Sequence, residues 1–348
     1  MKQWLREKGP GLALAGGLGL AATVLALALM ANDWVAARLP VSAALLAILA
    51  GLALAPVAAR HARLTPGIKL ASGPILKLGV VLLGLRLSLV ELLSLGASVF
   101  ALVLAVIVTG LGTMALLTRV MRLPPRLGLL LGVGTAICGA SAIAATAPGI
   151  RARSEETAYA IACVALFGLL ATLAYPLLFH FLLEDPRLVG MALGAAIHDT
   201  AQVTGAALLY EQSQNAPEAL NAATVTKLMR NLGILAVVPL AIWAANRHSK
   251  SEVQGASFPL FIVGFVLMAA VRTAGDALFG SEHSLWVSVL SVSGQLSGLF
   301  FATALAAMAL GIRVAALREL GPRPAIAALT TALLVGAVAI AWLHFFMR

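Results

Sequence analysis

Apolar residues run along this chain in long unbroken stretches separated by short polar joints. Eleven such stretches stand out: 11–31, 40–59, 73–94, 96–118, 126–149, 157–183, 187–210, 219–245, 257–279, 285–312 and 324–346. Each is long enough to cross a hydrocarbon core of ~30 Å as a helix. A segment in lipid must satisfy its own backbone, and the runs are continuous rather than alternating, so helices are expected and a barrel is not. The tenth run carries Ser291, Ser293, Gly294, Gln295, Ser297 and Gly298, and a broken, tilted or partly re-entrant helix is expected there. The chain reads as one all-α polytopic domain over residues 1–348, with a tail and peripheral first helix in 1–39 and a core in 40–348.

Composition agrees with the pattern. Of 348 residues, 61% are hydrophobic and 11% charged, too few charges to coat a soluble fold of this size. The net charge of +10 lies mainly in the joints between apolar runs, and no basic stripe or nucleic-acid motif accompanies it. With the N-terminus inside, fifteen Lys and Arg fall on the inner side against five on the outer, which sets the N-terminus in the cytoplasm and the C-terminus outside. The first run exceeds the ~7–15 residues of a signal-peptide core, and Ala26-Leu27-Ala28 is a weak cleavage sequence, so a retained helix is expected. The two cysteines, Cys138 and Cys163, sit inside apolar runs with no CxxC spacing, which argues against a disulfide framework or zinc site. No P-loop is present, and the longest polar connections are about ten residues.

The chain echoes itself. Gly134-Thr-Ala-Ile-Cys-Gly-Ala-Ser-Ala-Ile143 resembles Gly194-Ala-Ala-Ile-His-Asp-Thr-Ala-Gln-Val203, and each is followed by a run with Pro near its end. Leu83-Gly-Leu-Arg-Leu87 likewise resembles Leu310-Gly-Ile-Arg-Val314. Such echoes point to ten or eleven helices arranged as inverted repeats, some of them broken. The first pair lies two runs apart, which gives equal orientation unless one segment fails to cross.

Charges inside a membrane are costly and mark function by default. His198, Asp199 and Gln202 form one cluster, and Asp199 is the sole acid well inside a run. Lys227, Arg230 and Asn231, at i, i+3 and i+4, form one polar face. An ion pair from Asp199 to Lys227 or Arg230 is expected to ease the burial of both. Thr135, Cys138, Gly139 and Ser141 suit either tight packing or an unwound helix that offers backbone N–H groups to an anion. Lys77 and Arg86 also fall within a run, either near enough to an end to snorkel or inside the protein. Four interior cations against one acid leave an excess that an anionic ligand would match.

The segments around Arg86, Cys138, His198 and Lys227 resemble the YeiH-type bacterial membrane proteins, a family customarily labelled sulfate exporters. The resemblance runs from about residue 40 through nearly the whole chain. It implies a bacterial inner-membrane location and kinship with antiporters and anion transporters built from inverted repeats and crossed broken helices. The expected function is secondary transport of a small anion, of sulfate or sulfonate type, with proton or sodium coupling. Lys227, Arg230, Asn231, Thr135, Cys138, Gly139 and Ser141 would then bind substrate, and His198, Asp199, Gln202 and Arg86 would couple or gate. The alternative is a cation/proton antiporter using Asp199 with a Lys partner. No enzyme activity, cofactor or metal is expected. The partners are the anion and the lipid bilayer, with a homodimer as the assembly considered.

Overall fold

A computed structural model describes residues 2–31, 43–246, 260–280, 283–311 and 321–347. All regular structure in the described residues is helical. The helices are α1 (Lys2–Met30), α2 (Ala43–Arg60), α3 (Thr65–Leu70), α4 (Leu76–Leu83), α5 (Leu89–Val120), α6 (Pro125–Ala136), α7 (Ala140–Thr146), α8 (Ser154–Leu182), α9 (Pro186–Ala196), α10 (Thr200–Gln214), α11 (Pro217–Leu232), α12 (Ile234–Ala245), α13 (Leu260–Phe279), α14 (Ser284–Leu310) and α15 (Pro322–Phe346). Among the described residues, nine stretches are long and apolar enough to cross a membrane. Two of the eleven apolar runs, 126–149 and 187–210, are missing from that set because each is split into two helices.

The chain forms two compact units. One comprises residues 1–95, 208–217 and 260–312. Here α1 is packed rather than peripheral, because glycines let backbones approach closely. A Cβ on Gly19 would stand 2.6 Å from Thr303 of α14. The third crossing runs from Ala62 to Arg86 through a π-helical turn at Ala71–Ile75 that contains Pro74, whose missing N–H loosens the ladder. It therefore lies about ten residues nearer the N-terminus than the run 73–94 suggests. α14 is one continuous helix rather than a broken one. Its hydroxyls are satisfied without unwinding: Ser288 donates to Ser284 O, Ser293 to Leu290 O, and Ser297 to Gly79 O.

The other unit comprises residues 96–207, 218–259 and 313–348. It holds the split segment 125–146 and residues 186–207 of the other. α9 lies beside α11 and points the same way. A Cβ on Gly190 would meet Ala219 O, and one on Gly194 would meet Ala223 O. The segment 186–214 thus starts level with the start of α11. It also ends there, because Gln214 is three residues from Pro217. This segment is a re-entrant hairpin with its turn at residues 197–199.

The segment 125–146 is its counterpart. Leu123 and Ile150 at its feet share one buried cluster with Tyr159 from the start of α8, Ile242 from the end of α12, and Ala327 from the start of α15. Asn246 Nδ2 donates to Gly149 O at 2.7 Å, and Tyr159 Oη donates to Gly321 O at 2.6 Å. The exit of this hairpin, the end of α12 and the starts of α8 and α15 therefore share one level. α8, 29 residues long, crosses once between the hairpins, so they enter from opposite faces. The arms of α6 and α9, ~18 and ~16 Å long, are each too short to cross alone.

Candidate functional site

The two hairpin turns fall at equivalent places in the first internal echo. α6 ends at Ala136 and α7 begins at Ala140; α9 ends at Ala196 and α10 begins at Thr200. The offset is sixty residues at both boundaries. Residues 137–139 and 197–199 are thus corresponding turns of two inverted copies. The second echo falls in part on residues 312–320, outside the described residues.

Each turn leaves the last carbonyls of a half-helix without intrahelical donors, and each helix C-terminus carries about half a negative charge. Two such ends meeting at membrane depth would be expensive unless something donates to them. Lys227 and Arg230 of α11 do so. Lys227 Nζ donates to Ile137 O at 2.9 Å, to Ile197 O at 3.0 Å, and to His198 O. Arg230 donates through Nε to Ala136 O at 2.8 Å, through Nη1 to Ala195 O and Ile197 O, and through Nη2 to Thr135 O. Both side chains are almost wholly buried, at 1% and 0% exposure, so neither snorkels to the surface. All three ammonium protons of Lys227 are used, and one N–H of Arg230 remains. The expected ion pair with Asp199 does not form. Among the described residues, neither cation has a carboxylate oxygen within 4.0 Å, because carbonyls take the donors instead.

Asp199 serves as N-cap of α10. Its Oδ1 accepts from Ala201 N at 2.9 Å, and Gln202 Oε1 accepts from Asp199 N at 3.1 Å, a reciprocal capping pair. Gln202 Nε2 also donates to Ala165 O of α8 at 2.9 Å. A Cβ on Gly168 would come within 1.9 Å of Gln202 Oε1, so that glycine makes room for the amide. Asp199 is only partly buried, and its Oδ2 faces Gly139, whose φ of +66° turns the opposite hairpin. The Asp199 side chain of one turn therefore lies beside the Gly139 backbone of the other.

Two buried atoms beside this junction have no hydrogen-bond partner: His198 Nδ1 and Asn231 Oδ1. Their residues are 2% and 3% exposed. Asn231 Nδ2 donates to Thr200 Oγ1 at 3.2 Å, so its amide is half satisfied. Native proteins rarely leave buried polar atoms unpaired, and such atoms call for an explanation, a bound ligand among them.

Of the expected site residues, the structure brings together Thr135, Cys138, Gly139, His198, Asp199, Gln202, Lys227, Arg230 and Asn231. Ser141 is exposed on the first turn of α7. Arg86 belongs to the other unit, where it forms a forked ion pair with Glu211. Lys77 is exposed there, with Nζ 5.9 Å from the Phe261 ring centroid. The excess of interior cations therefore shrinks to Lys227 and Arg230 against Asp199, one net positive charge at the junction. Sequence reasoning missed the six carbonyl oxygens that these cations bind, since every residue carries one. It also missed Glu211, which sits in a polar joint.

A family model described as "Conserved hypothetical protein 698" matches residues 11–328. A UPF0324 membrane protein of Fusobacterium nucleatum is 32% identical, covering 80% of this chain and 83% of the relative. One of Bacillus anthracis is 33% identical over 76% of this chain and 75% of its own. One of Corynebacterium glutamicum is 30% identical over 93% of this chain and 90% of its own. No solved structure matches the chain. With a whole-family match over most of its length, and with full-length relatives that are themselves named as membrane proteins, the chain belongs to the UPF0324 family of polytopic membrane proteins, the YeiH-type family.

Proposed function

We propose that this protein is a secondary transporter of a small inorganic or organic anion, of sulfate or sulfonate type, in a bacterial inner membrane with its N-terminus in the cytoplasm. The observation that carries this reading is the junction of two inverted re-entrant hairpins around buried Lys227 and Arg230. Broken segments at mid-membrane are where secondary transporters place substrate. Here the two cations neutralise the helix ends and leave a net positive field next to His198 and Asn231; His198 donates to the anion from Nδ1 as its N–H tautomer. Asn231 reaches the anion with its N–H pair once the amide makes a half-turn, Oδ1 then accepting from the Thr200 hydroxyl. Lys227 acts through charge and positioning, since its protons are spent on carbonyls. Asp199 carries the coupled proton. Neutralising it removes the one negative charge at the junction and favours anion entry.

The orientation gains support from the hairpins. Their geometry moves Arg151 and Arg153 to the side of Arg122 and Arg126, and moves Arg187 to the other, which strengthens the inner-side bias. The test is a thermal-unfolding screen of detergent-purified protein against sulfate, taurine, other sulfonates and carboxylates. A ligand that binds only the folded state raises Tm in proportion to its occupancy. A saturable rise is expected for at least one divalent oxyanion or sulfonate. No response to any anion, combined with a saturable response to an alkali cation, would favour the antiporter instead.

A further inference from the structure

In transporters built from broken helices, unwound carbonyls and half-helix C-terminal ends are the groups that hold a coupling cation. In this protein those groups are already occupied by the chain itself. Three carbonyl oxygens, of Ile137, Ile197 and His198, converge on Lys227 Nζ from both hairpins. Backbone carbonyls converging on one positive centre are the ligand type that a small monovalent cation takes. Arg230 takes the adjoining carbonyls of Thr135, Ala136 and Ala195.

We infer that the Lys227 ammonium is a tethered cation filling a built cation site, so that no soluble metal cation binds at the hairpin junction and sodium is not the coupling ion there. Three observations favour a fixed role over a mobile one. Lys227 and Arg230 rise from one helix three residues apart, so neither can leave alone. Both are buried to 1% exposure or less. The acceptors come from two hairpins of opposite entry, so the pair ties both turns together whatever occupies the neighbouring anion site. This inference rests on the transporter reading for its meaning, because a surrogate for a coupling ion presupposes transport. If a proton is coupled, Asp199 is left to carry it, since it is the carboxylate at the junction and its Oδ2 lies beside Gly139.

The full chain in detergent tests the inference without any flux measurement. Thermal unfolding of wild type and of Lys227→Ala is compared in sodium, potassium, methylammonium and choline chlorides at one pH and one ionic strength. Wild type should unfold at the same temperature in all four salts. Lys227→Ala should be destabilised in choline and raised by about 3 °C or more in methylammonium, which replaces the missing ammonium head among the same carbonyls. A sodium-specific rise in wild type would overturn the inference, and so would a folded Lys227→Ala that responds to no cation. Should Lys227→Ala fail to fold, the wild-type comparison decides alone: equal Tm in sodium and choline supports the tethered cation, and a sodium-specific rise refutes it. An anion series run alongside reports on the transporter reading separately. A cation-rescued Lys227→Ala with no anion response would leave the tethered cation standing and remove the transporter.

Discussion

At the scale of single residues, the junction depends on small groups that admit large ones. Gly139 has a φ of +66°, and a Cβ there would lie 3.1 Å from Val164 and 3.3 Å from Asp199 Oδ2. Gly139→Ala is expected to cost about 1–3 kcal/mol from backbone conformation alone, and more if Asp199 cannot shift. Gly16→Ala on α1, where a Cβ meets nothing within 4 Å, is the control and should be neutral or slightly stabilising. Thermal unfolding of the two variants in one detergent makes the comparison. Asp199 gives a second, signed prediction. Its neutral form removes the negative charge beside the anion site, so anion binding by wild type should strengthen as pH falls. Asp199→Asn keeps the N-cap, since Asn caps as well as Asp, and should bind the anion with a shallower pH profile than wild type. Titration of Tm shift against pH for both proteins checks this. A wild-type profile that weakens toward acid, or an Asp199→Asn profile that keeps the full slope, contradicts the role.

At the scale of elements, the sequence carried more of the arrangement than its composition suggests. The repeat around Cys138 and His198 marked both hairpin turns, and the structure places helix ends at matching positions in the two copies. The polar faces of α10 and α11 were legible because charge inside an apolar run stands out. What could not be read was whether 126–149 and 187–210 cross or fold back, since an apolar run of about 24 residues has the length for either. The tenth run misled for a different reason. Its serines suggested a break, but hydroxyls can return their hydrogen bonds to the same helix and leave it intact. Thiol labelling tests the hairpins directly. In a background with Cys138 and Cys163 replaced by Ala, exposed positions Arg122 and Arg151 flank the first hairpin, and Glu184 and Asn215 flank the second. Single cysteines at Arg122 and Arg151 should react with an impermeant reagent from one face of the membrane. Single cysteines at Glu184 and Asn215 should react from the other. Reaction of either pair from opposite faces would turn that hairpin back into a crossing segment.

At the scale of the whole molecule, the arrangement is a membrane protein whose most polar helix lies inside it. α11 buries Thr224, Thr226, Lys227, Arg230 and Asn231, an inversion of soluble logic that makes sense when both its neighbours are half-helices with unpaired carbonyls. Structural and functional polarity then separate by partner. Lys227 and Arg230 are saturated or nearly so and hold the hairpins. His198 and Asn231 each keep an unpartnered buried atom and hold nothing through it. Neither unpartnered atom contributes a hydrogen bond, so the stability lost on truncation is limited to packing and, for Asn231, to its single bond to Thr200. The decisive measurement is therefore anion flux in proteoliposomes, with radiolabelled sulfate and taurine, for wild type, His198→Ala and Asn231→Ala, each paired with its unfolding temperature. The account predicts anion flux in wild type and its loss, at least tenfold, in both variants while their Tm stays within a few degrees of wild type. Wild-type flux that survives both substitutions would place the anion somewhere other than the hairpin junction and contradict the account.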